Sequence, residues 1–141
     1  MYGLVWASFF QIFLIVFLLA AIVPSSIGVM YDATIGVHLV IGIVVIFLAV
    51  HAFMLVKKTG CPDRIKRITK TTAILGGVQG ALGVILFALI RFNVSPTFQD
   101  VVLLLHVVTA LAIIAQASSS ATAFDMWEEK EFVTSDALKP S

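Results

Sequence analysis

The sequence predicts an all-α membrane protein, a bundle of four transmembrane helices built as two tandem helical hairpins. Three observations carry this prediction. The chain of 141 residues is 60% hydrophobic and 12% charged, with a mean hydropathy of +1.09; a soluble domain carries about twice that share of charge. Four apolar runs, at 4–23, 34–56, 71–92 and 101–124, are each close to the ~20 residues that cross a bilayer as a helix. Gln11, Asp32 and His38 recur 68 residues later as Gln79, Asp100 and His106. The runs lack alternation with polar residues, which argues against a β-barrel. One transmembrane domain is expected over 1–124, with hairpins at about 1–57 and 70–124, followed by a tail over 125–141.

The first run could be taken for a signal peptide. It has no basic flank before it and no small-residue cleavage site, so it reads as a helix. Pro24, Ser25, Ser26 and Gly28 end it. The second run ends at the segment KKTGCPDRIKRITK, residues 57–70, which holds six of the nine Lys and Arg residues. The third run ends at Asn93, Ser95 and Pro96. The fourth gives way to the polar, acidic tail DMWEEKEFVTSDALKPS, where Trp127 is expected at the interface and the last ten residues are expected to be loosely ordered.

Basic residues near helix ends mark the cytoplasmic side. The 24–33 link has none and the 91–99 link has Arg91 alone, so the 57–70 segment is expected inside, with both termini. The expected location is the cell membrane, multi-pass, with N- and C-termini cytoplasmic. Topology accounts for the basic segment, and no nucleic-acid partner is expected. Cys61 is the sole cysteine; it has no disulfide partner within the chain and no second Cys or His beside it for a metal site.

The 68-residue offset makes the chain two hairpins in the same orientation, related by a pseudo-two-fold axis along the membrane normal. Chance matches among Leu, Val or Ala would mean little here. Matches among Gln, Asp and His mean more, because such residues are sparse in these runs. His38 and His106 fall near the outer ends of the second and fourth runs, about 6–8 Å in at a helical rise of 1.5 Å per residue. The repeat turns them toward one axis. Two imidazoles meeting across a bundle suit bis-histidine ligation of one haem. Gly42 and Ala110 follow these histidines by four residues, and Ala49 and Ala117 by eleven. Small residues on the ligand stripe leave room for a flat macrocycle; they equally serve ordinary close packing of membrane helices.

The remaining polar residues carry plainer readings. His51 matches Ser119, so a second bis-histidine haem lacks its partner; a polar residue near the inner boundary is favoured over quinone contact or proton transfer. Asp32 and Asp100 are read as helix caps, six residues before each histidine. Arg91 is either a partner for a haem propionate or an interfacial cation that snorkels. Gln11, Gln79 and Gln116 are expected to bond across helices, and Thr109, Ser118, Ser119 and Ser120 to their own helix carbonyls.

The stretch TAILGGVQGALGVILFALIRFNVSPTFQDVVLLLHVVTALAIIAQA resembles one half of the haem A synthase family. That family has a Q-x-x-x-G helix, a short outer link, and a helix with L-H-x-x-x-A. Here these are Gln79, Gly83, His106 and Ala110. IGVHLVIGIVVIFL, with His38 and Gly42, resembles the other histidine-bearing helix. The likeness spans most of 1–124. Usual members have two four-helix halves, and this chain equals one. The family glutamate three residues before the first histidine is Ile35 here, the arginine after it is Leu39, and the outer-loop cysteine pair is absent.

The expected function is a b-type haem protein of the membrane. His38 and His106 ligate the iron of one haem b, Gly42 and Ala110 give it room, and Arg91 faces a propionate. It would carry electrons as a subunit of, or beside, a respiratory or other membrane oxidoreductase. The resemblance implies an alternative, a compact haem A synthase with haem O as substrate and haem A as product. A structural subunit without cofactor is the third reading. Expected partners are membrane lipid, other membrane subunits of a redox complex or a second copy in a homodimer, and quinone for electron exchange.

Overall fold

A computed structural model describes residues 28–137, with side chains described over 35–131. The first apolar run and Gln11 lie outside the described residues. Three helices are seen: α1 (Gly28–Lys57), α2 (Asp63–Arg91) and α3 (Pro96–Ala137). Each is long and apolar enough to cross a membrane. The described chain is thus all-helical and membrane-embedded in character, with broad belts of exposed Leu, Ile, Val and Phe suited to lipid.

The helices are longer than the apolar runs. α2 begins eight residues before the expected start at 71 and takes in the charged stretch DRIKRITK. That stretch has its own amphipathic signal: Ile65, Thr69, Thr72 and Gly76 form a buried stripe at helical spacing. Hydropathy alone misses it because Arg and Lys, good helix formers, dilute the average. The α1–α2 connection therefore shrinks to Lys58–Pro62. It is held by bonds from the Lys58 and Thr59 backbone N–H groups to Leu55 and Val56 carbonyls. The Thr59 hydroxyl also donates to Val56 O at 2.8 Å, and the Cys61 thiol makes a weak 3.8 Å contact to the same oxygen.

α3 starts at Pro96, not near 101. Proline at the first helical position loses no needed N–H. Before it, α2 ends in a Schellman turn: Val94 N–H donates to Leu89 O at 3.0 Å, and Asn93 N–H to Ile90 O at 3.2 Å. The turn needs a left-handed residue, and Asn93 supplies it at φ 50°. The Gln99 side-chain amide reaches back to Val94 O at 2.8 Å and fixes the corner. Asp100, expected as a cap, is the fifth residue of α3 and exposed, past the position from which a side chain caps. Asp32 lies within α1, and its side chain is outside those described.

At the other end, α3 does not stop at 124. It runs 42 residues, about 63 Å, against a hydrocarbon core of about 30 Å. Part of the expected tail, through Ala137, is helix continuous with the apolar span. Its first turns are docked. Phe124, Trp127 and Ala123 pack on the buried cluster of Val56, Cys61 and Ile65. This closes the loop end of the bundle with apolar contact from all three helices.

α2 is the central helix. It packs against α1 on one side and α3 on the other, while α1 and α3 nowhere bring their Cα atoms within 8 Å of each other among the described residues. Small residues on α2 permit its close approach. A Cβ on Gly76 would stand 3.8 Å from Ala49 Cβ, and one on Gly80 would meet the tip of Ile46 at 2.8 Å. Buried side chains bridge the α1–α3 gap: Val45, Ala49 and Ala117 form one cluster, with Ala73 of α2 packed against it. Lower down, the Thr72 hydroxyl lies 3.2 Å from Gln116 Oε1 and 3.0 Å from Ile68 O, tying α2 to α3.

The buried faces of α1 and α3 follow one register. Val45, Ala49 and Ala52 are buried, and so are Ile113, Ala117 and Ser120, each 68 residues further on. The two helices thus bury the same positions, and Val45, Ala49 and Ala117 meet in one cluster.

Candidate functional site

The site is built where α1 and α3 present their histidines across the gap. The rings of His38 and His106 have centroids 6.2 Å apart and planes inclined by 61°. His106 is buried and His38 half-buried. Along α3, His106 lies ten residues after Pro96, about 15 Å from the helix start. That is deeper than the expected 6–8 Å, because the polar stretch PTFQD belongs to the helix rather than to the link.

His106 also rests on α2. A Cβ built on Gly83 would stand 3.3 Å from His106 Cε1 and 3.8 Å from Nδ1, so the ring occupies the space that glycine leaves open. The Gln79 backbone, one turn earlier, lies within reach of the ring. Nδ1 itself is buried and makes no hydrogen bond of good geometry. Gln79 is half-buried, and its Oε1 is also buried and unpaired, so the expected cross-helix bond of this amide is not made among the described residues. A buried polar atom without a partner is costly in an apolar bundle, at about 1–3 kcal/mol.

The geometry fits two axial ligands on one iron. A metal–imidazole bond is about 2 Å and a ring nitrogen lies about 1 Å from its centroid, so two imidazoles on opposite faces of one metal stand about 6 Å apart. Each ring can turn about its metal–nitrogen bond, so a 61° inclination suits this arrangement. The α1–α3 separation leaves the space between them to side chains rather than backbone. Gly42 and Ala110 are half-buried, one turn below each histidine on the same stripes. A ligating histidine commonly donates its other N–H to a backbone carbonyl; the Gln79 backbone lies near the His106 ring, but Nδ1 makes no hydrogen bond among the described residues.

The other expected residues fall outside this cluster. Arg91 is the exposed last residue of α2, eight residues beyond Gly83 and about 12 Å further along the axis. His51 is exposed and stacks on Phe47, with centroids 5.8 Å apart and planes within 9°. It does not join the pair. Among the described residues no three His, Cys, Asp or Glu side chains gather. Gly83 is the site residue whose contact the sequence did not disclose. The pattern Gly76-x3-Gly80-x2-Gly83 marks a close-packing face on α2, but gives no sign that its last member meets a histidine on α3 rather than α1.

No protein-family model, curated protein or solved structure matches this chain.

Proposed function

We propose that this chain is a b-type haem-binding membrane protein that carries electrons as a subunit of, or beside, a membrane oxidoreductase. The single observation behind this reading is the His38–His106 pair, two imidazoles from separate helices at 6.2 Å in an apolar bundle. When bound, haem supplies a one-electron iron couple. The residues define how that couple would be used. His38 and His106 would both hold the iron, a two-histidine ligation that suits electron transfer. Gly83 lets His106 sit against α2, near the Gln79 backbone. The basic segment supports a cytoplasmic side for the α1–α2 loop, and with it for the C-terminal end of α3.

The test is a reduced-minus-oxidised optical spectrum of the purified protein, with a pyridine haemochrome assay for haem type and stoichiometry. One low-spin haem b per chain is the expected result. A colourless, fully folded protein would leave the third reading, a structural subunit.

A second reading, a compact relative of haem A synthase, draws on the meeting of Gln79, Gly83 and His106, the three residues that carry that resemblance. Ile35 stands where that family has its glutamate, so the chain would have to complete its site by other means, such as a second copy. Conversion of haem O to haem A by the purified protein would establish this reading, and its absence with haem b bound would favour the first.

A further inference from the structure

At the opposite end of α2 from the histidines, Arg64, Lys66, Arg67 and Lys70 line one open concavity of about 400 Å³, with Asp63 at its edge and Phe53 of α1 as its apolar wall. Asp63 pairs with Lys66 at 3.7 Å, leaving a net charge of +3. Among the described residues Arg64, Arg67 and Lys70 have no ion-pair partner. α2 has 29 residues and is about 43 Å long. A bilayer with its headgroups is about 40–45 Å thick. The first two turns of α2 thus fall at headgroup level. Lys57 and Lys58 lie nearby but do not line the concavity, so the basic residues exceed a diffuse charge belt: four converge and two do not.

We propose that this concavity binds the phosphate of an anionic membrane lipid, with Arg64 and Arg67 on the phosphate oxygens and Phe53 against the start of an acyl chain. Guanidinium groups match phosphate geometry with two parallel donors. Basic pockets between transmembrane helices serve anionic headgroups in this way. The site is independent of the haem reading, because it needs only that α2 spans a bilayer.

The experiment is native mass spectrometry of the full-length protein with phosphatidylglycerol or phosphatidylcholine in equal amounts, and with inorganic phosphate as competitor. Phosphatidylglycerol should be retained in preference, and millimolar phosphate should not displace it. Arg64→Gln/Arg67→Gln should lower that retention about tenfold or more, since each cation near an anionic surface is worth about a factor of five. Lys57→Gln/Lys58→Gln should lower it clearly less than the arginine pair does, since neither lysine lines the concavity. If the double arginine variant does not fold, Arg67→Gln alone carries the test with about a fivefold fall. Equal retention of both lipids, an equal fall in the Lys57/Lys58 variant, or displacement by inorganic phosphate would each overturn the proposal: the first and second by showing no built site, the third by showing a site for a free anion.

Discussion

Ala49 of α1 and Ala117 of α3 lie in one buried cluster, each about 1% exposed, and they are 68 residues apart in sequence. The same offset separates His38 and His106, whose rings meet about three turns away on the same two helices. Positions of α1 and α3 that share the 68-residue offset therefore lie together at these two levels. This relation holds over about 11 residues of each helix. A ligand held by both histidines, as proposed above, would sit between α1 and α3.

The histidines should act as a set. His38→Ala and His106→Ala are each expected to abolish a low-spin bis-histidine spectrum, because neither helix offers a second ligand at that level. His51→Ala should retain it, since His51 is exposed against Phe47, about 20 Å further along α1. Haem that survives both first substitutions and is lost with the third would reject the assignment.

The α2 glycines should separate by what they touch. Gly83→Ala adds a methyl 3.3 Å from His106 Cε1, so the ring must shift by a few tenths of an ångström; haem occupancy should fall, and more steeply for Gly83→Val. Gly77→Ala meets nothing within 4 Å and should be neutral or stabilising by up to about 1 kcal/mol, from helix propensity. Gly80→Ala meets only the flexible end of Ile46 and should cost less than about 1 kcal/mol. Haem titration and thermal melts across the three sites check this order; equal haem loss at Gly77 and Gly83 would contradict it.

The loop end of the bundle should depend on the C-terminal part of α3. Trp127 packs at 5.4 Å from Phe124 over the Val56, Cys61 and Ile65 cluster. Trp127→Ala is expected to cost about 2 kcal/mol, at the low end for a half-buried aromatic. It should also make the segment beyond residue 124 more open to protease, with haem content unchanged. A melt and a limited digest measure both, and an unaltered digest would show that this packing does not hold the segment.

Topology should be read at Gly60 rather than at Cys61. The Cys61 thiol is about 2% exposed and packed under Trp127, so slow labelling there would say nothing of sidedness. Gly60 is exposed, with nothing within 4 Å of an added Cβ. In a Cys61→Ser background, Gly60→Cys is expected to resist an impermeant maleimide in intact cells and to react after permeabilisation. Reaction in intact cells would place the basic loop outside.

Much of this protein is legible one residue at a time. Apolar run length against bilayer thickness locates the cores of the three described spans, because in lipid every backbone group must bond within its own helix. Pro96 and Asn93 mark the α2–α3 turn by their φ values. The repeat of Gln, Asp and His picks out the histidines, since sparse polar residues in an apolar helix are costly without a partner. Helix ends were less legible. The hydropathy window fades where Arg64 to Lys70 and Asp125 to Glu131 begin, although those residues continue the helices at little cost.

The sequence by itself determined the helical class, the membrane character, the α2–α3 turn and the two histidines. Only the tertiary structure decided which surfaces meet. It placed α2 between α1 and α3, set the two histidine rings 6.2 Å apart, and put His106 on Gly83. It also folded the start of the acidic segment onto Cys61. The reason is that all the spans are apolar on every side, so no amphipathic stripe tells one helix which neighbour to choose. In lipid that choice comes from close packing at small residues and from a few polar contacts, and those depend on shape in three dimensions.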